Sequence, residues 1–204
     1  MSNRYLFIAL VAILEITSCR REEKPNSSKV PTPAAVPAAI PAVTMEAFAK
    51  AALDGDLATV KQALSTPDAA NYADPEGRTA LMLAAFNGHT GVVSLLLDSG
   101  AKIDTRDQIQ RTALMYASSG ANDATVALLV KRGAGVNLAD NEQHWTPLMF
   151  AASEGHIGVA RILLDAGADP AAADTDGEDS IMFARSKNFT ELADLIQKAK
   201  ERKR

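Results

Sequence analysis

From Thr44 onward the chain repeats itself, and that period constrains the fold more than any local pattern does. Three segments align: "RTALMLAAFNGHTGVVSLLLDSGAKIDTRD" from Arg78, "RTALMYASSGANDATVALLVKRGAGVNLAD" from Arg111 and "WTPLMFAASEGHIGVARILLDAGADPAAAD" from Trp145. Leu114 follows Leu81 by 33 residues, and Leu148 follows Leu114 by 34. A degenerate copy begins near Met45 and a truncated one at Glu178. A repeat of this length is one supersecondary unit that cannot bury its apolar face alone, so neighbouring units must stack.

Each copy reads as two helices. Thr79, Thr112 and Thr146 stand where a side chain caps the free N–H groups of a first helix, and Pro147 occupies the first helical position, where its missing donor costs nothing. The Ala84-Ala85 and Ala151-Ala152 pairs are small enough to let a second helix approach. That helix carries the bulk: Val92, Val93 and Leu95 to Leu97 in one copy, Val126 and Leu128 to Val130 in the next, then Val159 and Ile162 to Leu164. Gly100, Gly133 and Gly167 follow it, suited to the left-handed residue that closes a helix. Polar connections around Asp74, Asp107, Asp140 and Asp174 join one copy to the next.

The motifs Thr79-Ala-Leu-Met-Leu-Ala-Ala, Thr112-Ala-Leu-Met-Tyr-Ala-Ser and Thr146-Pro-Leu-Met-Phe-Ala-Ala, with Gly88-His89, Gly155-His156 and Gly167-Ala-Asp, resemble the ankyrin-repeat signature. The resemblance implies an all-α ankyrin-repeat solenoid of helix-turn-helix units whose Asp-bearing connections project as β-hairpin fingers. Its domain would span 44–204, with units at about 45–77, 78–110, 111–144 and 145–177 and a C-terminal cap at 178–204. The sequence departs from the family pattern in several places. Methionine replaces the signature histidine at Met82, Met115, Met149 and Met182; the third unit has Ala121-Asn122 for Gly-His and Ser118 for Ala. Pro67-Asp68 stands where the first unit should end in Gly-Ala, Pro170 follows Asp169, and "DNEQHW" gives the finger before the fourth unit an extra residue.

No catalytic constellation emerges, and no enzyme activity is expected. His89 and His156 fall where the family uses histidine structurally, and His144 reads as a finger residue. "DTDGEDS" from Asp174 begins like a calcium loop but lacks its closing carboxylate, since the twelfth position is Arg185. A methionine ladder has the softness to bind Cu(I), but its core spacing assigns it to packing, so no metal and no cofactor are expected. A formal charge of -4 gives no basic excess for nucleic acid. No small-molecule substrate is implied. The basic ending "KAKERKR" reads as a solvated helix C-terminus.

What remains is a surface. The resemblance implies protein binding on the concave face, at finger tips and exposed first-helix positions: Arg78, Phe86 and Asn87; Ile109, Arg111 and Ser119; Trp145, Ser153 and Glu154; Glu178 and Arg185. Trp and Arg are enriched in binding hot spots. Trp145, the single tryptophan, on the longest finger, is the first expectation, with packing on a neighbouring finger as its alternative.

The N-terminal stretch carries a separate set of expectations. Asn3-Arg4 precedes an apolar run, Tyr5 to Leu14, of signal-peptide length and too short to span a bilayer. Ile16-Thr17-Ser18-Cys19 resembles the lipobox of bacterial lipoproteins, which implies a signal peptide at 1–18 and a lipid anchor on Cys19. An incidental thiol is the alternative; as the only cysteine, Cys19 allows no intramolecular disulfide. Arg20 in place of Asp favours, by the same resemblance, the outer membrane facing the periplasm. Residues 19–43 form a Pro/Ala-rich linker whose five prolines favour an extended spacer, with a proline-rich ligand as the other reading. Together these expectations describe a tethered, periplasm-facing binding module; an immunity protein inhibiting a periplasm-acting toxin is the rival.

Overall fold

The computed structural model describes residues 44–66 and 68–202. The expected signal segment, Cys19 and the linker up to Val43 lie outside the described residues, as does Pro67. Among the described residues ten α-helices follow in pairs: α1 (Met45–Asp54) and α2 (Leu57–Ala63), α3 (Ala80–Phe86) and α4 (Thr90–Asp98), α5 (Ala113–Ser119) and α6 (Asp123–Lys131), α7 (Pro147–Glu154) and α8 (Ile157–Asp165), α9 (Ser180–Ser186) and α10 (Thr190–Arg202). Each pair, together with any finger that precedes it, is one unit, numbered 1 to 5. Among the described residues the fingers form no strands; two of them keep single bridges, Ala73 with Thr79 and Ala173 with Asp179.

The first helices start on side-chain caps. Thr79 and Thr146 hydroxyls accept the N–H groups of Met82 and Met149 at 3.4 Å, and each methionine sulfur accepts its threonine's N–H at 3.4 Å. The methionines that replace the family's histidine thus complete a reciprocal cap. Thr112 corrects the expectation: with φ −105°, against −91° and −90° at the capping threonines, its hydroxyl caps nothing. Asp179 caps α9 instead, accepting from Ile181 and Met182 at 3.0 Å.

Second helices close as their glycines foretell. Gly100, Gly133 and Gly167 have φ of 88°, 91° and 94°, and the residue after each returns its N–H to a carbonyl of the last helical turn, as in Ala101 to Leu96 at 3.0 Å. Phe48, Leu81, Met82, Leu114, Met115, Leu129, Leu148, Met149 and Leu163 form one continuous core with the paired alanines between the helices. Met182 breaks the ladder at 49% exposure, because no sixth helix pair follows among the described residues to cover it.

Units are joined at two levels. At the inter-helix turns, the residue opening each second helix reaches back onto the unit before it. His89 Nε2–H donates to the Leu53 carbonyl at 2.9 Å, Asn122 Nδ2 to Phe86 at 2.8 Å and His156 Nε2–H to Ser119 at 3.1 Å. Phe189 does the same by packing on Gly155, where a Cβ would come within 2.7 Å of its ring. The two histidines are therefore structural donors. In the connecting loops, Asn71 accepts from Lys102 N–H at 2.8 Å, Asp104 from Gly135 at 3.0 Å and Asn137 from Asp169 at 2.8 Å. First helices pack more closely on each other than second helices do, and the side they share with the fingers is the inner face.

Candidate protein-interaction face

Each finger is closed by one aspartate. Asp74 Oδ1 accepts the N–H groups of Glu76 and Arg78, Asp107 those of Ile109 and Arg111, and Asp174 those of Asp176 and Glu178, all at 2.8–3.1 Å. The longer finger keeps the device by stretching it: Asp140 Oδ1 accepts from Gln143 and Trp145, each at 3.1 Å. Fingers also join their neighbours through backbone bonds, Gln108 N–H to Glu76, Asn141 to Ile109 and Thr175 to Gln143, at 3.0–3.1 Å. The fingers therefore form one laddered edge, with each tip held by its own buried or half-buried carboxylate.

Behind that edge runs a row of side chains one turn into the first helices: Leu83, Tyr116, Phe150 and Phe183. Tyr116 donates its hydroxyl to Asp107 Oδ2 at 2.8 Å and meets Phe86 edge-on at 6.3 Å. Burial, and then that bond to Asp107, holds the Tyr116 phenol well above the usual tyrosine range, so it stays a neutral donor. Arg111 lies over the Phe150 ring at 5.1 Å while its Nε donates to buried Asp140 at 3.2 Å and its Nη2 to Glu142 at 3.3 Å. Arg78 is held similarly within its own finger, by Asp74 at 2.7 Å and Glu76 at 3.4 Å.

The sequence-predicted site residues divide into two groups. Glu154 and Arg185 are exposed, and Phe86, Ile109, Arg78, Arg111 and Glu178 are half-buried along the inner face. Asn87 is exposed, yet its side chain already donates to the Leu53 carbonyl at 2.7 Å. Ser119 is half-buried and bonds Tyr116 O at 2.9 Å.

Two residues correct the expectation of an exposed surface. Trp145 is only 8% exposed, wedged between Phe150 at 5.2 Å and Phe183 at 4.7 Å, with Nε1–H directed at Asp174 at 3.4 Å. The indole therefore packs against the first helices of its own and the following unit. Ser153 is 4% exposed and spends its hydroxyl on the Phe150 carbonyl at 3.0 Å. Tyr116 and Glu142 were not singled out in the sequence; their signal was the alignment of Tyr116 with Leu83, Phe150 and Phe183, and the position of Glu142 at the longest tip.

On the opposite side, an open groove of about 650 Å³ runs between α8 and α10, lined by Ile157, Arg161, Leu164, Glu191, Leu195 and Lys198 among others. Among the described residues no cluster of three or more His, Cys, Asp or Glu is placed to hold a metal ion, and no helix is long and apolar enough to cross a membrane.

A stack of helix pairs with a laddered finger edge defines a helical-repeat scaffold, a class whose chemistry lies in its surface. The family profile described as ankyrin repeats matches in three overlapping copies, residues 48–140, 103–174 and 124–202, and the chain belongs to the ankyrin-repeat family. An ankyrin repeat protein of Acanthamoeba polyphaga mimivirus, R664, is 39% identical over 56 residues, 28% of this chain and 35% of that protein. The matched stretch thus spans about a third of the relative's length. Ankyrin repeats are protein-protein interaction modules, and this chain carries them as its described fold.

Proposed function

We propose that the protein is a non-catalytic binding module, tethered to the bacterial cell envelope through acylated Cys19 and facing the periplasm, that grips a partner protein on its inner face. The observation that carries the binding half is the laddered finger edge. A surface fixed by backbone bonds between fingers and by one carboxylate per tip loses little conformational freedom on binding, which favours affinity. Phe86, Ile109, Glu142, Glu154 and Arg185 supply mixed apolar and charged contacts along it. The tether rests on the sequence around Cys19, and the outer membrane is favoured over the inner by Arg20.

Two measurements test the reading. Metabolic labelling with an alkyne fatty acid should tag the wild-type chain and not Cys19→Ala, and a labelled variant would remove the anchor. Ile109→Asp combined with Arg185→Glu should abolish recovery of the partner trapped by chemical crosslinking in whole cells, with far-UV circular dichroism unchanged. Undiminished recovery would move the binding site off the inner face.

A further inference from the structure

We propose that unit 3, although interior, is the weak joint of the stack: it folds because its neighbours hold it, and it opens before either of them. Four features of residues 107–122 point the same way. The Thr112 hydroxyl is fully buried with no hydrogen-bond partner among the described residues, and it leaves α5 without the side-chain cap that α3 and α7 possess. Ser118, buried where units 2 and 4 have alanine, bonds back to the Leu114 carbonyl at 2.7 Å, an arrangement that loosens a helix. Ala121 holds φ 57° at the inter-helix turn, and Gln110 holds φ 64° at the finger.

The equivalent pairs make unit 3 distinctive. Unit 2 has Gly77 and Gly88 at these two positions, unit 4 has His144 and Gly155, and unit 5 has Gly177 and Asn188, all at positive φ. Unit 3 alone among them has neither glycine nor asparagine at either left-handed position. Each such residue shifts the local equilibrium about five- to thirtyfold toward the open form.

What holds unit 3 is borrowed from outside. Toward unit 2, Thr125 shares a hydroxyl bond with Thr90 at 2.7 Å, and Arg132 pairs with Asp98 at 2.8 Å. Toward unit 4, Arg111 reaches Asp140, Glu142 and the Phe150 ring. Position alone argues the other way, since an interior unit breaks two interfaces when it opens and should be better protected than its neighbours. The defects reverse that order. Because unit 3 carries Ile109, Arg111 and Ser119, the joint lies at the centre of the inner face.

The test is native-state hydrogen exchange on the full chain, comparing α5 and α6 with α3, α4, α7 and α8. Wild-type α5–α6 amides should exchange faster than both flanking pairs. Thr112→Val with Ala121→Gly, which removes the stranded hydroxyl and the left-handed alanine, should slow α5–α6 exchange about tenfold or more relative to the flanking pairs. Equal or slower exchange of α5–α6 in the wild type, or a ratio unchanged in the double variant, would overturn the proposal. Either result reads directly on the joint, since both substitutions sit within unit 3.

Discussion

Removing the carboxylate of Asp140 should cost more than any other single change in the finger edge. Its side chain is 1% exposed and makes three bonds: Oδ1 to the N–H groups of Gln143 and Trp145, Oδ2 to Arg111 Nε. Asp140→Ala deletes two hydrogen bonds to a charged acceptor, worth about 1.5–3 kcal/mol each before relaxation. It also leaves Arg111 with only exposed Glu142 as counter-charge. Arg111 is itself 23% exposed, so its stranding falls below the 3–5 kcal/mol typical of a fully buried pair. A total of about 4 kcal/mol follows, a large part of the stability of a domain this size. Asp140→Asn keeps the Oδ1 role but sets an amide N–H₂ against the guanidinium, so about 2 kcal/mol is expected. Urea titration reads both changes through Trp145, the single tryptophan, whose backbone N–H bonds to Asp140 Oδ1 in the wild type. A loss under about 1 kcal/mol for Asp140→Ala, or an Asn variant equal to wild type, would refute the claim that the aspartate closes the finger.

Other changes separate the causes assigned above. Thr146→Val should destabilise by about 1 kcal/mol in thermal unfolding by removing the α7 cap, and a neutral result would mean the Thr-Met bonds carry no weight. Gly167→Ala meets nothing within 4 Å and should cost only its left-handed strain, about 1–2 kcal/mol, whereas Gly155→Ala also drives a Cβ to 2.7 Å from Phe189 and should cost clearly more in denaturant titrations. At Asp179, burial would raise the carboxyl, but the Lys200 bond at 2.7 Å and the Met182 and Ile181 N–H groups outweigh it and hold the group below the usual carboxylate range. Its contribution is therefore present above about pH 4 and lost as pH falls through the folded value. Lys200→Met should flatten that acid limb of a stability-versus-pH curve, by no more than about 1 kcal/mol given the exposure of the pair, and an unchanged limb would count against the linkage.

The fold was legible because repeat period, capping threonines and closing glycines all report on backbone needs that any solution must meet. Gly100, Gly133 and Gly167 are left-handed for the reason their spacing gives, and the extra residue of "DNEQHW" lengthens its finger as its count implies. Thr112 was misread because a cap depends on side-chain and backbone geometry that its residue type does not encode. The inner face was harder to read. Trp145 has the composition of a hot spot, yet whether an indole points outward depends on the aromatic neighbours that the fold brings to it, and here it packs against Phe150 and Phe183. Asn87 and Ser119 look available in sequence, but the Leu53 carbonyl of the preceding unit and the Tyr116 carbonyl of its own helix already claim them, respectively. The aspartates at the finger bases were visible as a pattern, while their shared Oδ1 geometry was not.

Binding through the inner face is tested most directly by a photo-crosslinking amino acid placed at Ile109 in living cells, with Arg161 on the outer groove as the matched control. The account predicts one abundant adduct at Ile109 and none of that mass at Arg161, and the captured protein's identity would separate an accessory factor from a toxin. An adduct at Arg161 alone, with both variants folded and equally abundant, would contradict it.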